Sequence, residues 1–341
     1  MASTERRLRS RARRVGAVLT ASVAAVALAG CAANGGTGGD DTANGTEPED
    51  DFPNQQIQVI VPWAAGGGTD LITRQLATMS EDTCGVRFVV NNLTGAASAT
   101  GHQAVVDADP DGYTIGTATT ELAILNHLGS ASFTPEDVTG IVQLAANPAV
   151  LTVPASSPYE TFEDLADGLA AGDTIRVATN GRGGTWDLAA RGLGVELGAS
   201  FTEYAPFNGA AEMIPAVLGG QVEAMSPSAG EVRPLIEAGE MRGLATMAEE
   251  RFEALPDVPT LSELGVDWVM GSWIGVVAPV GTPENRVEIL RDCMGEAAMS
   301  AEFQEFLGTQ GMGLADRDGE EFTSFTRSEY DRFETLIGEV Y

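Results

Sequence analysis

Lysine is missing altogether: all 19 basic residues are arginines, set against 49 acidic ones, for a net charge of −30. With so few cations there is no basic surface on which to neutralise phosphates, which excludes nucleic acid as a partner. Any anion the chain binds must be held by local dipoles and a few arginines, against the mean field. Most of the carboxylates read as a solvated surface. Histidine is nearly as scarce. His102 and His127 stand alone, with no metal-spaced cluster, no Gly-x-Ser-x-Gly elbow and no Cys-x-x-Cys pair. The usual carriers of hydrolytic, zinc and dithiol chemistry are therefore lacking, and the chain reads as a non-enzyme without a cofactor. There is no internal repeat, and the one apolar run near the start, 15–29, is too short and too rich in alanine to be a membrane span.

What the N-terminus does have is the grammar of export. Arg6, Arg7, Arg9, Arg11, Arg13 and Arg14 precede the apolar run, and small residues follow it, so 1–30 reads as a signal peptide. Leu28-Ala29-Gly30-Cys31 resembles a bacterial lipobox, in which the Cys31 thiol takes a diacylglycerol before cleavage; the alternative is a plain secretory signal with an incidental cysteine. The Gly, Asp, Thr, Asn and Glu of 31–51 offer almost nothing to bury and read as a flexible tether, about 25 Å in reach. Two acyl chains would keep the mature protein lipid-anchored at the extracytoplasmic face of the cell membrane. Loss of six arginines and Glu5 moves the net charge to −35.

The remaining 52–341 is long enough for one large or two ordinary domains. Strand-like and helical runs alternate along it, which predicts parallel α/β sheets with ligands at the carboxyl ends of strands. The most informative stretch is 57–70. Ile57-Gln58-Val59-Ile60-Val61 reads as a buried strand stopped by Pro62, Gly66-Gly67-Gly68 as a loop that lets a ligand approach the backbone, and 70–80 as a helix with its positive end toward that loop. A phosphate loop needs Gly-Lys-Ser/Thr next; Gly68-Thr69-Asp70 stands here instead, so a small carboxylate fits better than a nucleotide. An ordinary tight turn is the competing account. The same order of strand, glycine or threonine, and helix recurs at Ala178-Thr179-Asn180-Gly181-Arg182-Gly183-Gly184-Thr185 and at Thr117-Ala118-Thr119-Thr120-Glu121, so several helix starts are expected to converge on one cleft. Cys84 and Cys293 either pair, outside the cytoplasm, or remain buried thiols.

Several further motifs carry a family resemblance. Pro62-Trp63-Ala64-Ala65-Gly66-Gly67-Gly68-Thr69-Asp70 with Arg74, Pro110-Asp111-Gly112-Tyr113-Thr114, Leu218-Gly219-Gly220-Gln221-Val222, Leu255-Pro256-Asp257-Val258-Pro259-Thr260 and Trp273-Ile274-Gly275-Val276-Val277-Ala278-Pro279 occur in order. They resemble the tripartite tricarboxylate transporter substrate-binding proteins, the Bug/TctC family. The resemblance implies an α/β fold of two domains, periplasmic-binding-protein-like (type II), joined by two crossover strands and closing as a flytrap on a small organic carboxylate. Domain 1 is expected at 52–149 plus 278–341 and domain 2 at 150–277. The resemblance also implies a tail that returns to the first domain, which would bring Cys84 and Cys293 together as a disulfide.

By position in the resemblance, the ligand is expected on Trp63, Ala65, Gly66, Gly67, Gly68, Thr69 and Asp70 from the first domain, with Thr119 and Thr120. Asn180, Arg182, Gly183, Gly184, Thr185 and Asn208 are expected from the second. Arg182 is the candidate for a direct cationic contact, against a surface ion pair. Arg74 has the spacing of an ion pair with Asp70; Asp70 either caps its helix or accepts a ligand ammonium or hydroxyl. Trp63 either walls the pocket or packs in the core. Phe207-Asn208-Gly209 stands where the family usually has Tyr-Lys-Gly, and Trp186-Asp187 near where a histidine is common. The implied partners are the large and small membrane subunits of a tripartite tricarboxylate transporter. The alternative is a ligand-sensing lipoprotein that docks on a membrane signalling kinase.

Overall fold

The computed structural model describes residues 51–341 apart from Asn208 and Asp316; the signal, Cys31 and most of the tether lie outside the described residues. Strand β1 (Ile57–Val61) alternates as its β-branched sequence dictates, with Ile57, Val59 and Val61 fully buried. Helix α1 (Gly68–Cys84) buries Ile72, Thr73, Leu76, Ala77 and Ser80, a helical-period face, and ends at Gly85 in the left-handed conformation. There follow β2 (Phe88–Asn92), α2 (Ala99–Val106), β3 (Thr114–Thr119), the single turn α3 (Glu121–Ile124), and the long β4 (Val138–Pro148).

The second half of the fold begins with β5 (Val150–Pro154) and α4 (Phe162–Ala171), whose start is a reciprocal capping box. Thr161 Oγ1 accepts the Asp164 N–H at 3.2 Å while the Asp164 carboxylate accepts the Thr161 N–H at 2.9 Å. It continues through β6 (Arg176–Thr179), α5 (Thr185–Glu196), β7 (Glu203–Pro206), α6 (Ala210–Leu218), β8 (Ala224–Met225), α7 (Ala229–Glu237) and β9 (Met241–Thr246). The chain then returns by β10 (Gly271–Pro279), α8 (Glu284–Ala298), α9 (Ala301–Thr309), β11 (Gly313–Leu314) and α10 (Gly319–Val340).

These strands form two sheets, β11-β4-β10-β3-β1-β2 and β7-β6-β8-β5-β9. Both are mixed, which corrects the expectation of parallel sheets. β1 pairs parallel with β2 and β3, and β6 with β7 and β8. β10 runs antiparallel between β3 and β4, and β5 runs antiparallel to β8 and β9. The reason is that β4 and β10 lie side by side in the first sheet while the chain at their ends enters and leaves the second. Backbone bonds from Ala149 N–H to Met270 C=O and from Met247 N–H to Ala149 C=O tie the two crossings together.

The first sheet's core holds Ile57, Leu76, Ile115, Leu144, Val276, Leu290 and Phe303. Within it Cys84 at the end of α1 is bonded to Cys293 on α8, with Cα atoms 5.0 Å apart. A second core, around Val150, Val177, Leu188 and Met225, also takes in Trp273 and α10's Phe322, Phe333 and Leu336, so α10 is packed into the cluster that serves the second sheet. The parallel strands β1, β3 and β6 are the ones whose carboxyl ends lead into the loops singled out above.

Candidate functional site

At the end of β1 the chain turns on Gly66, whose φ of +81° favours glycine. Asp70, buried in the first turn of α1, reaches back to hold this turn: its carboxylate accepts the Gly66 N–H at 2.8 Å, Arg74 Nε at 3.0 Å and Asn92 Nδ2 at 2.8 Å. Burial alone would raise this carboxyl, but the bonds from Arg74, Gly66 and Asn92 and the Arg74 charge outweigh it and leave it below the ordinary carboxylate value. Asp70 is thus fully engaged within its own half, as is Arg74, which also donates to Asn92 Oδ1 at 2.8 Å. Gly67 is the residue before the helix, in an extended conformation, and its N–H bonds to the Ala64 carbonyl. The N–H groups of Gly68 and Thr69 lie in the first turn, where a helix has no internal acceptor, and no described group takes them. Ala64, Ala65, Gly66 and Gly67 are exposed.

The second loop uses its donors differently. Asn180 Oδ1 accepts the N–H groups of Trp186 and Asp187 at 3.1 and 3.2 Å, a side-chain cap over the start of α5. The Gly183 N–H donates to the Tyr341 hydroxyl at 2.6 Å and to the Asp187 carboxylate at 3.2 Å, and Gly184 N–H to the Gly181 carbonyl. Tyr341 in turn donates to Asp187, and burial, with the Asp187 bond, raises its phenol well above the usual value. Arg182, expected to meet a ligand directly, is exposed and stacks its guanidinium 4.1 Å from the Tyr341 ring centre. Of this loop, the Thr185 hydroxyl faces the first half. Asn208 lies outside the described residues.

Between the two loops stands the end of β3. Trp63 Nε1 donates to Thr119 Oγ1 at 3.3 Å, and Thr119 Oγ1 donates to Glu121 Oε2 at 2.6 Å. The other carboxylate oxygen, Oε1, accepts from Thr185 Oγ1 at 3.2 Å, so Glu121 joins loops 64 residues apart. Trp63 and Glu121 each keep part of their surface open, whereas Thr119, Thr120 and Thr185 are buried. Thr120 Oγ1 accepts the Trp273 N–H at 3.0 Å and so fastens this turn to β10. Beneath it His102 Nε2 accepts the Thr119 N–H at 3.3 Å, and burial lowers that imidazole to about 3. Desolvation likewise raises the Glu121 carboxyl, opposed in part by the Thr119 hydroxyl, the residue's own N–H and the Thr185 hydroxyl.

The structure therefore brings Trp63, Thr119 and Thr185 into one hydrogen-bonded chain beside the open start of α1, and turns Asp70, Asn180, Arg182 and the Gly183 N–H to internal duties. Glu121 and Tyr341 are the residues of this hydrogen-bonded arrangement that sequence reasoning passed over. For Glu121 a signal existed, an acid directly after two threonines at a strand end; for Tyr341 there was none. A separate surface depression of about 410 Å³ between β4, α8 and α10 contains Arg291 and Arg317. Their guanidiniums are already bonded to the Gly140 carbonyl and the Gln143 side chain.

The family profile described as "TctC: Tripartite tricarboxylate transporter family receptor" matches residues 72–341. Among curated relatives, a UPF0065 protein of the gbd 5' region of Cupriavidus necator is 29% identical over 84% of this chain and 88% of its own. Protein BugT of Bordetella pertussis is 28% identical over 85% and 91%. Among solved structures, a TctC solute-binding protein from Polaromonas superposes with a TM-score of 0.76 at 34% identity, covering 84% of this chain and 99% of its own. MatC of Rhodopseudomonas palustris with bound malate gives 0.71 at 26%, covering 84% and 100%, and another protein of that organism with adipate gives 0.72 at 26%, covering 84% and 97%. The family is described as a receptor family and the Polaromonas relative as a solute-binding protein, not as enzymes, and the superposition shows that the fold is shared. From the end of α1's first turn to the last residue, the chain belongs to the tripartite tricarboxylate transporter receptor family.

Proposed function

We propose that the protein is an extracytoplasmic solute-binding receptor. In this reading the halves 52–149 with 278–341, and 150–277, close on a small organic carboxylate, which is then delivered to the large and small membrane subunits of a tripartite tricarboxylate-type transporter. The observation that carries it is the open first turn of α1, where the N–H groups of Gly68 and Thr69 point out of a positive helix end with no internal acceptor. A chain of this acidity can hold an anion only where oriented amides act at short range. The malate and adipate carried by two solved relatives are anions of the corresponding size and class. Trp63 closes one wall, and the Thr119 and Thr185 hydroxyls supply polar contacts from either half.

The lipobox-like Leu28-Ala29-Gly30-Cys31 supports attachment of this receptor to the membrane through a diacylated Cys31. Cys31→Ser is expected to release the protein into the medium or leave it unprocessed, and unchanged fractionation with unchanged acyl labelling would contradict the anchor. For the ligand, a thermal-shift screen of mono-, di- and tricarboxylates is the direct test. A ligand at 100 times its dissociation constant stabilises by about 2.7 kcal/mol, and a panel without any such response would contradict the receptor reading. Genes for the two permease subunits beside this one would support the transport role.

A further inference from the structure

The carboxylate of Glu121 bridges the loop after β3 and the start of α5, and none of the described cations pairs with it. Its two oxygens accept hydroxyl bonds from Thr119 in one half and Thr185 in the other. None of the described ion pairs includes it. The arginines on α1, α5 and the loop before α5 are committed elsewhere: Arg74 to Asp70 and Asn92, Arg191 to Asp187, and Arg182 to the Tyr341 ring. A carboxylate held mostly out of water without a counter-charge is costly, and the two threonine hydroxyls and the residue's own N–H leave part of its acceptor capacity unused. The Trp63 indole N–H, hydrogen-bonded to the same Thr119 hydroxyl, ties this group to the glycine loop at the end of β1.

We infer that Glu121 is a specificity-determining residue of the ligand site, accepting hydrogen bonds from the ammonium group of a small amine-bearing carboxylate whose own carboxylate lies on the first turn of α1. The inference rests on the carboxylate-receptor reading above and narrows it to zwitterionic ligands. An ammonium supplies both the missing counter-charge and the donors that the free lone pairs require, and a threonine hydroxyl on each side keeps the acceptor oriented toward it. Burial pushes the Glu121 carboxyl up, the behaviour of a charge that lacks its partner, and a bound cation would reverse that shift.

Matched pairs of probes test this. Calorimetric titrations with L-aspartate against succinate, and L-glutamate against glutarate, isolate the amine at constant carboxylate spacing. In the parent protein at least one amino member should bind about ten-fold or more tightly than its partner, the size expected of a hydrogen bond between charged groups. Glu121→Gln should reduce that preference to near unity, read as the ratio within each pair whatever the absolute affinity of the variant for succinate or glutarate. Binding of the amine-free members as tightly as the amino members in the parent protein overturns the inference and leaves the receptor reading standing. So does amine-free binding that tightens as pH falls and survives in Glu121→Gln, since Glu121 would then act as a protonated donor. Failure of all four probes to bind overturns the zwitterion assignment, and the wider carboxylate panel then judges the receptor reading separately. The comparison within the parent protein stands even if the variant does not fold.

Discussion

The loops after β1 and after β6 share one sequence grammar, a buried strand, a glycine-rich turn and a helix, yet the protein uses them in opposite ways. After β1 the intramolecular acceptor, Asp70, takes among the backbone amides only that of Gly66, and α1's first amides stay open. After β6, Asn180 caps two amides of α5, and the Gly183 N–H is divided between Tyr341 and Asp187. Glycine at a helix start thus announces that donors exist, not who receives them. The difference lies in nearby acceptors: a carboxylate at the third helical position, Asp70 or Asp187, reaches back to a glycine N–H in both loops, and only after β6 does an asparagine five residues ahead of the helix cover first-turn amides as well.

The contrast breaks most visibly at the glycines. A methyl group at Gly183 sits on a backbone with φ of +79° and meets the end of the Leu128 side chain, which must turn aside, so Gly183→Ala should lower stability by about 1–3 kcal/mol, chiefly from the backbone. At Gly67 the same methyl meets only the Ala64 carbonyl oxygen, at 3.4 Å, and Gly67→Ala should cost under about 1 kcal/mol. Denaturant titration of the two variants reads the difference, and equal losses would erase the distinction between open and closed loops.

Next in size is a pH effect beneath the β3 end. Burial lowers His102 to about 3 from 6.5. Above pH 6.5 the imidazole is neutral in both folded and unfolded chains and contributes no pH dependence. Below that value the unfolded chain takes up a proton that the folded one refuses, so stability falls by about 1.4 kcal/mol per pH unit, about 2 kcal/mol by pH 5. The onset near pH 6.5 should vanish in His102→Gln; if it persists there, His102 is not its source. Asn180→Ala removes the cap on α5 and should cost about 1–2 kcal/mol, with no loss of ligand affinity beyond about two-fold, since those amides are not the ligand's. Tyr341→Phe, which deletes the bonds to Gly183 and Asp187, should cost about 1 kcal/mol. A gain of ligand affinity in either variant would mean that the second loop's amides compete for the anion.

Much of this molecule is written locally. The 57–70 stretch and the alternation of strands and helices beyond it could be read because strand alternation and helical periodicity act within a few residues. What was not legible depends on distant partners. The antiparallel seat of β10 between β3 and β4 is set by the return of the chain from the second sheet, and β7, only Glu-Tyr-Ala-Pro, is a strand because β6 offers it an edge. In the site, threonines at a strand end could be singled out from the sequence. The role of Glu121 could not, because its second partner, Thr185, is 64 residues away, and neither could the withdrawal of Arg182 to the ring of Tyr341.

The central claim is that the open first turn of α1 holds the carboxylate. Gly67→Val places a branched side chain over that turn at a position whose backbone is extended and whose surroundings leave room for it. Calorimetry of this variant against the tightest carboxylate of the panel, with its thermal unfolding followed alongside, should show binding abolished or weakened at least about 100-fold while the unfolding midpoint of the ligand-free protein stays within a few degrees of the parent. A variant that unfolds like the parent and also binds like the parent would place the anion elsewhere.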